Sequence, residues 1–142
     1  MIKIIKILFF IFIAGCWLIA GSMFISHRRM RDRDYIRIHD TAQIKLALKN
    51  YFKTASLYPV SSGECLTPDS GVGSELIEAK EIYRIPFDPL WPAAGPERAK
   101  RTAGYESFCY FYFSNSFNEF SLSFFLEANS RAGGQGVNIL RP

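Results

Sequence analysis

The chain begins with a long, uninterrupted apolar stretch. Residues 7–25 read ILFFIFIAGCWLIAGSMFI and contain no charged side chain. At a rise of 1.5 Å per residue, a helix of about 19 residues covers about 28 Å, close to the hydrocarbon thickness of a bilayer. The stretch is apolar on every face, so it has no single stripe with which to dock on a core. The pattern predicts a transmembrane anchor at 1–26.

The next segment has the pattern of an amphipathic helix, because apolar residues recur at spacings of three and four and lysines recur every four residues on another face. The apolar face consists of Ile44, Leu48, Tyr51, Phe52 and Ala55, and the basic face of Lys45, Lys49 and Lys53. No Gly or Pro interrupts 23–58, so the membrane helix is expected to continue through 27–58. It should end before Pro59, because proline disfavours the helical conformation in the residue that precedes it.

Residues 59–104 have the pattern of a loop, since glycine and proline punctuate them densely. One short helix is expected over 74–80, with Ser74 as its cap and with Leu76 and Ile77 facing inward. A loop of this length in a compact domain is expected to be a packed functional surface or to be clamped covalently.

Two aromatic residues in this loop, Phe87 and Trp91, are candidates for a contact surface. The alternative is that they simply cover the helix. Asp88, between two prolines, is expected to form a turn rather than to act as an acid or base.

From residue 105 the pattern changes to that of an antiparallel sheet. Residues 105–113 and 117–126 are rich in aromatic side chains and are separated by Ser-Asn-Ser. The second run alternates, with one set pointing one way: Phe120, Leu122, Phe124 and Leu126. Three glycines then precede a short strand at 137–140. These features predict an α+β fold, in which a head at 59–142 carries a three- or four-stranded sheet at 105–142 packed on the water-soluble half of the helix.

The net charge of +4 comes mainly from the dozen residues after the apolar stretch, which contain Arg28, Arg29, Arg31, Arg33 and Arg37. A basic cluster next to a membrane segment is typical of contact with lipid headgroups or neighbouring helices. No base-stacking or helix-turn-helix pattern accompanies it, so membrane lipid is the expected partner and nucleic acid is not.

The orientation of the anchor is left open by two opposing signals. Lys3 and Lys6 flank one end, and the five arginines follow the other. The positive-inside rule counts this as a cytoplasmic C-terminal part. Cys65 and Cys109 indicate the opposite orientation, with the C-terminal part outside the cytoplasm, because two cysteines of one domain can pair in an oxidising compartment. Their bridge closes a loop of about 45 residues, worth about 4 kcal/mol in the chain-entropy model; the alternative is two free thiols in a cytosolic domain.

Cys16 raises a separate possibility for the N-terminus. Residues 13–16 read Ile-Ala-Gly-Cys and resemble a bacterial lipobox, which is cut before the cysteine that then receives a lipid. Residues 17–25 remain apolar beyond that point, whereas lipoproteins usually turn polar there. Lipidation of Cys16 is therefore kept as the alternative to an uncleaved spanning helix.

Catalytic and metal-binding patterns are weak in this sequence. His27 and His39 are the only histidines, and no serine or cysteine motif accompanies them. Metal sites need clustered His, Cys, Asp or Glu, and Cys65 and Cys109 have no close ligand partners in the sequence. We expect no enzyme, no cofactor, no metal and no small-molecule substrate.

Four segments in order resemble type IV pilins and type II secretion pseudopilins. They are 40–59 (DTAQIKLALKNYFKTASLYP), 82–89 (IYRIPFDP), the aromatic run 105–112 and 120–127 (FSLSFFLE). The resemblance implies a helical handle with a small sheet head, anchored in the bacterial inner membrane with the C-terminal domain outside the cytoplasm. It further implies subunits that stack helix on helix, with other pilin-like subunits or secretion and pilus assembly proteins as partners.

Two features of that family are not found here. The apolar stretch carries no glutamate, and no glycine followed by F-T-L-I-E precedes it. A carboxylate in lipid is costly and is kept only for a partner, so its absence bears on assembly. The alternative function is a membrane-tethered interaction domain outside the cytoplasm that has a pilin-like head and does not polymerise.

Overall fold

The computed structural model describes residues 2–93 and 108–142, except for the side chains of 2–5 and 8. Two compact units are distinguished, Met1–Asp32 and Arg33–Pro142. The described elements are α1 (Ile2–Ala55), β1 (Ser61–Cys65), α2 (Gly71–Glu78), β2 (Phe111–Ser116), β3 (Glu119–Leu126) and β4 (Gly136–Leu140). The α+β class predicted from the sequence is confirmed, as is the long N-terminal helix.

The N-terminal part of α1 has the length and apolar character of a membrane span. Within the described residues, Phe9–Ala55 is the one candidate; its 18-residue window has a mean hydropathy of 2.1 and no buried share. Side chains such as those of Phe10, Trp17 and Met23 are exposed in the protein by itself. An apolar surface of this kind loses free energy on transfer from water to hydrocarbon, which is the physical basis of membrane anchoring.

The C-terminal end of α1 lies before the predicted end. The helix stops at Ala55 because Ser56 adopts a left-handed conformation with φ 59°. The Ser56 N–H still donates to the Phe52 carbonyl at 2.8 Å, so the last turn is closed. Of the predicted apolar face, Ile44 and Leu48 are fully buried, whereas Ala55 is exposed.

The sheet contains four antiparallel strands in the order β1-β2-β3-β4. Residues 61–65 were expected to be loop, and that expectation was wrong. Their sequence, SSGEC, has no alternation of apolar and polar positions, so the pairing with β2 determines the strand. Gly63 is required there, because its φ is 119° and a Cβ at this position would lie 2.8 Å from Cζ of Phe111.

The remaining strands lie close to their predicted bounds. β3 ends at Leu126 as expected, and β4 begins one residue before the predicted 137. Of the strand expected at 105–113, residues 105–107 lie outside the described residues and 108–110 are not in a strand, so β2 begins at Phe111. β2 also continues to Ser116, so the expectation that 114–116 only separates two strands was wrong. The alternation predicted for β3 is confirmed, since the side chains of Phe120, Leu122, Phe124 and Leu126 are all buried.

The short helix exists, but its predicted start and cap were wrong. α2 begins at Gly71, and its N-cap is Ser70, whose hydroxyl accepts from the Gly73 N–H at 3.1 Å. The Glu64 carboxylate on β1 accepts the N–H groups of Gly71 at 2.9 Å and Val72 at 3.0 Å. Partners of this kind satisfy helix N–H groups that have no intrahelical acceptor. The first turn contains two glycines, which have low helix propensity, so the true start of this helix could not be predicted from propensity.

The main core lies between one face of the sheet, the part of α1 that belongs to the Arg33–Pro142 unit, and α2. It contains Ile44, Leu48, Tyr58, Leu66, Val72, Leu76, Ile85, Tyr110, Tyr112, Phe120, Leu122, Phe124 and Leu126. Two buried tyrosine hydroxyls in this core are hydrogen-bonded: Tyr110 donates to Asp40 and Tyr112 to the Pro59 carbonyl, both at 2.7 Å. Neither hydroxyl therefore carries the free-energy cost of a buried polar group without a partner.

Candidate functional site

Five charged side chains from three separate segments meet in the Arg33–Pro142 unit. We call them the ion-pair cluster: Arg33, Asp34, Arg37, Asp88 and Glu127. Arg37 lies at its centre and is fully buried. Its Nε and Nη2 donate to Asp88 at 2.7 and 3.0 Å, and its Nη1 donates to Asp34 at 2.9 Å and to Glu127 at 2.7 Å.

Local structure explains how each member reaches the cluster. Arg33, Asp34 and Arg37 are three and four residues apart, so they share one face of α1. Asp88 is held by its own turn, in which its Oδ1 accepts from the Leu90 N–H at 2.8 Å and its carbonyl from the Trp91 N–H at 2.8 Å. The turn predicted for Asp88 is therefore confirmed, and the same carboxylate is also the bidentate partner of Arg37.

The end of β3 is attached to α1 through the same cluster. The Asp34 carboxylate accepts the backbone N–H groups of Glu127, at 2.9 and 3.1 Å, and of Ala128 at 2.9 Å. Arg33 forms a second, bidentate pair with Glu127 at 2.7 and 2.5 Å. Every carboxylate in the cluster thus has at least two donors, as buried charges require.

The hydrogen bonds of the cluster favour the charged forms of Arg37 and Glu127. Burial lowers the pKa of Arg37, but its hydrogen bonds to Asp88, Glu127 and Asp34 outweigh that and raise the pKa above the usual value. Burial likewise raises the pKa of Glu127, and the hydrogen bonds from Arg33 and Arg37 outweigh it, so the pKa lies below the usual value. The ring of Phe108 lies 5.3 Å from the Arg37 guanidinium carbon, which adds a cation–π contact.

The chemistry of this cluster is that of a clamp. Its carboxylates are occupied by arginine and backbone donors, and the Arg37 guanidinium is enclosed. A general acid or base needs a group within reach of a substrate, and the buried members offer none. The cluster instead fixes the loop that carries Asp88 and the end of β3 on the turn of α1 that contains Arg33, Asp34 and Arg37.

Sequence reasoning assigned Arg33 and Arg37 to the basic cluster expected to meet lipid headgroups or neighbouring helices. For these two residues the structure corrects that expectation, because their partners are carboxylates of their own unit. The missed signal is the spacing of Arg33, Asp34 and Arg37 together with two later acids. Those acids lie 51 and 90 residues from Arg37, and only the fold brings them together.

The disulfide proposed from the sequence is present. Cys65 and Cys109 are joined, with an S–S distance of 2.04 Å and a Cα–Cα distance of 5.6 Å, across a separation of 44 residues. Around it lies a small second core on the other face of the sheet, formed by Trp91, Phe111, Phe125 and Val137. The disulfide and this cluster clamp the segment that carries Asp88, as expected of a long loop in a compact domain.

The two aromatic residues proposed as a contact surface lie side by side. Phe87 is 42% exposed and stacks on Trp91, with 6.1 Å between ring centroids. Trp91 packs in the second core around the Cys65–Cys109 disulfide. Part of this pair therefore serves local packing, and its role as a contact surface stays a prediction.

The described residues of the same unit include two surface grooves. The first, of about 440 Å³, lies between α1 and residues 81–84 and is lined by Leu46 and Tyr83 among others. Leu46 is 59% exposed and Tyr83 is 99% exposed. The second, of about 630 Å³, lies beside the β2–β3 turn and includes Phe113 and Arg141. In the sequence, Tyr83 stands out only as part of the segment that resembles pilins. Its exposure was not predicted, because the exposure of a single tyrosine cannot be inferred from the sequence.

The other single residues proposed from the sequence remain isolated. Cys16 is a free, exposed cysteine inside α1, and its lipidation stays an untested alternative. His27 and His39 are exposed, and Nδ1 of His39 lies 3.8 Å from Oδ1 of Asp40. Among residues 2–93 and 108–142, no three His, Cys, Asp or Glu side chains are grouped as metal ligands would be.

A long N-terminal helix packed on a small antiparallel sheet is a pilin-like architecture. Comparison with known proteins gives no match: no family model, no curated protein and no solved structure is significantly similar to this chain.

Proposed function

We propose that this chain is a membrane-anchored structural subunit of an assembly of the type IV pilus or type II secretion kind, acting without a catalytic site. The observation that supports it most directly is the ion-pair cluster. It fixes the sheet to α1 within a few residues of a helical segment that is long and apolar enough to span a membrane.

A structural subunit needs a head with one fixed position on its helix, and the cluster has that property. Replacing a buried ion pair by apolar side chains is often neutral or stabilising, so such a pair is weak evidence of stability. Its geometry is nevertheless demanding, since Arg37 requires three carboxylates at defined positions. We infer that the main role of the cluster is to fix the position of the head on α1, and that its contribution to the free energy of unfolding is secondary.

The disulfide supports a location outside the cytoplasm. Bonds of this kind persist in oxidising compartments and are rare where thiols are kept reduced. The Cys65–Cys109 bond is half-buried and supports a packed cluster, which is the pattern of a structural disulfide. On this ground, and against the count of arginines after the apolar stretch, we propose that the C-terminal domain lies on the extracytoplasmic side of a bacterial inner membrane.

The surface of the soluble part of α1 offers a place for contacts between subunits. Leu46 and Tyr83 leave apolar area in water beside a groove, with Glu81 and Arg84 among the polar residues that line it. An apolar patch with a polar rim is typical of protein–protein contacts. A second copy or another pilin-like subunit is the occupant that the proposed function requires.

The second candidate function is a membrane-tethered interaction domain that does not polymerise. The observation in its favour is the apolar part of α1, which contains no carboxylate between residues 7 and 25. In a filament of the proposed kind, that carboxylate would neutralise a neighbour's N-terminus. Both functions share the anchor, the head and the disulfide, so only assembly distinguishes them.

The test is amine-reactive cross-linking of the full-length chain in the cells that produce it. Lys49 and Lys53 are exposed on α1 and supply amines, and Cys16→Ser removes the free thiol so that no unintended disulfide is formed. A structural subunit is expected to give a ladder of three and more copies. A variant with Lys45→Arg, Lys49→Arg and Lys53→Arg keeps the charge and should lose the rungs that depend on these amines. A chain found only as monomer, or joined one-to-one to a different protein, would support the tethered domain instead.

A further inference from the structure

The five arginines that follow the apolar stretch separate into two groups in the structure. Arg33 and Arg37 belong to the ion-pair cluster. Arg28, Arg29 and Arg31, which we call the arginine patch, have exposed side chains. In the part of the chain that the structure describes, none of these three is paired with a carboxylate.

The position of the arginine patch along α1 matches the headgroup layer of a bilayer. The apolar stretch ends at Ile25, so Arg28 lies about 4.5 Å and Arg31 about 9 Å beyond it along the helix axis. The polar layer on each side of the hydrocarbon core is about 5–8 Å thick. Side chains on a helix tilt toward its N-terminus, which directs those of the patch back toward the membrane.

The orientation of Arg28 agrees with this direction. Its guanidinium carbon lies over the ring of Phe24, one turn earlier in the apolar stretch, at 5.0 Å from the ring centroid. An arginine placed this way keeps its stem on apolar surface and its charged end at the interface. Guanidinium groups also present paired donors that fit phosphate oxygens bidentately.

We propose that Arg28, Arg29 and Arg31 bind the phosphates of anionic phospholipids and enrich those lipids around the anchor. The proposal depends on the membrane anchor and not on polymerisation, so it holds for both functions considered above. Each basic residue near an anionic surface is worth about a factor of five in affinity. Three residues are therefore enough to give a clear preference for phosphatidylglycerol over phosphatidylcholine.

The experiment uses Trp17, which is 75% exposed within the apolar stretch and reports on the lipids beside it. The full-length chain is reconstituted into phosphatidylcholine vesicles that contain a small fraction of lipid with brominated acyl chains, as either phosphatidylglycerol or phosphatidylcholine. Bromine quenches tryptophan fluorescence at short range, and Trp91 provides the same background in both samples. We expect about tenfold enrichment of brominated phosphatidylglycerol at 50 mM salt, decreasing as salt screens the charges.

Matched variants identify the residues responsible. Arg28→Gln, Arg29→Gln and Arg31→Gln together should reduce the enrichment to less than about twofold. Lys45→Gln, Lys49→Gln and Lys53→Gln remove the same charge from the other end of α1 and should leave it unchanged. Arg28→Lys, Arg29→Lys and Arg31→Lys should retain part of it, since charge remains and the paired donors are lost. Retention of the Cys65–Cys109 disulfide in each variant verifies that the head has folded.

Three results would overturn the proposal. Equal quenching by the two brominated lipids would show that the anchor has no headgroup preference. Loss of enrichment on adding 10 mM inorganic phosphate at constant ionic strength would show that the patch takes a free anion instead of a lipid. Absence of quenching by either lipid would show that the segment does not enter the bilayer, which would remove the anchor itself.

Discussion

Arg37 and Asp88 form a bidentate ion pair in which both side chains are buried, although they lie 51 residues apart in the chain. The pair connects α1 to a turn that precedes the second apolar cluster of the head. Removing Arg37 leaves the buried Asp88 carboxylate without its cation, and removing Asp88 leaves the buried Arg37 guanidinium with Asp34 and Glu127 alone. The position of this turn on α1 therefore depends on the match between Arg37 and Asp88.

Asp88→Ala is expected to destabilise the protein by about 3–5 kcal/mol, because the Arg37 charge remains buried with one fewer carboxylate. The measurement is chemical denaturation of the full-length protein in detergent micelles, followed by near-ultraviolet circular dichroism. Asp69→Ala is the matched control, since Asp69 is exposed, and it should change the free energy of unfolding by less than about 0.5 kcal/mol.

Replacing Arg37 together with Asp88 should not restore stability, because the Arg37 guanidinium is also the partner of Asp34 and Glu127. Arg37→Met with Asp88→Leu removes one ion pair but leaves the buried Asp34 carboxylate with backbone N–H donors alone. We expect this double variant to be no more stable than Asp88→Ala. A double variant that is more stable by about 2 kcal/mol or more would show that the Arg37–Asp88 pair acts independently of the other carboxylates.

Stability should decrease at acidic pH because of Glu127. The hydrogen bonds from Arg33 and Arg37 overcome burial and hold its pKa in the folded state below the ordinary value of 4.5. A carboxyl group of this kind stabilises the fold above its unfolded pKa, and that contribution is lost as the pH falls through the folded pKa. Thermal unfolding between pH 6 and pH 3 measures the loss.

The comparison for this pH effect is between two glutamates. Glu127→Gln should lower stability at neutral pH and flatten its dependence on pH below 4.5, because the titrating group is gone. Glu78→Gln alters an exposed carboxyl at the end of α2 and should retain the acid-induced loss. If Glu127→Gln loses stability on acidification as steeply as the unmodified chain, the loss does not arise from Glu127.

The disulfide gives a prediction for both stability and location. Cys65→Ser with Cys109→Ser should destabilise the protein by about 4 kcal/mol, because the unfolded chain regains the freedom of a long loop. In cells, a membrane-permeant thiol reagent should label Cys16 alone in the unreduced protein and all three cysteines after reduction and unfolding. Labelling of Cys65 or Cys109 without reduction would place the domain in a reducing compartment.

The sequence allowed prediction of those parts of the fold whose own pattern determines them. Alternation located the buried face of β3, from Phe120 to Leu126, and spacing located Ile44 and Leu48 on the buried face of α1. β1 was not predicted, because it is an edge strand whose residues have no apolar pattern and are held by pairing with β2. The residues of β1 form a strand because of a partner strand about 50 residues later, and the pattern of the β1 segment alone does not reveal that partner.

The candidate site was less predictable than the fold, for a related reason. Charge counting does not separate Arg33 and Arg37 from Arg28 and Arg31, since all four follow the same apolar stretch. What separates them is whether a carboxylate from another segment reaches the same turn of α1, as Glu127 does for Arg33. A count of charges treats these residues alike. The ion-pair cluster and the arginine patch can therefore be told apart only in the folded structure.

Gly63 is predicted to tolerate no side chain. Gly63→Ala places a methyl group at φ 119° and 2.8 Å from Cζ of Phe111, so it should destabilise the protein by about 1–3 kcal/mol. Gly71→Ala is the control, because a Cβ there makes only ordinary contacts with the Glu64 carboxylate at 3.6 and 3.7 Å. Thermal unfolding of both variants checks the difference, and equal melting temperatures would mean that β1 rearranges to admit the methyl group.

The surface groove beside α1 gives the prediction that bears most directly on assembly. Tyr83 is 99% exposed, so Tyr83→Ala removes little packing and should change the free energy of unfolding by less than about 0.5 kcal/mol. If a second copy fills the groove, the same variant should weaken the ladder of cross-linked copies severalfold, because a tyrosine at the centre of an interface often contributes about 2 kcal/mol or more. Val60→Ala, which also trims an exposed apolar side chain but lies outside this groove, should leave the ladder intact. A ladder unaffected by Tyr83→Ala would move the subunit contact to another surface, and a ladder reduced equally by both variants would point to a general loss of surface apolarity.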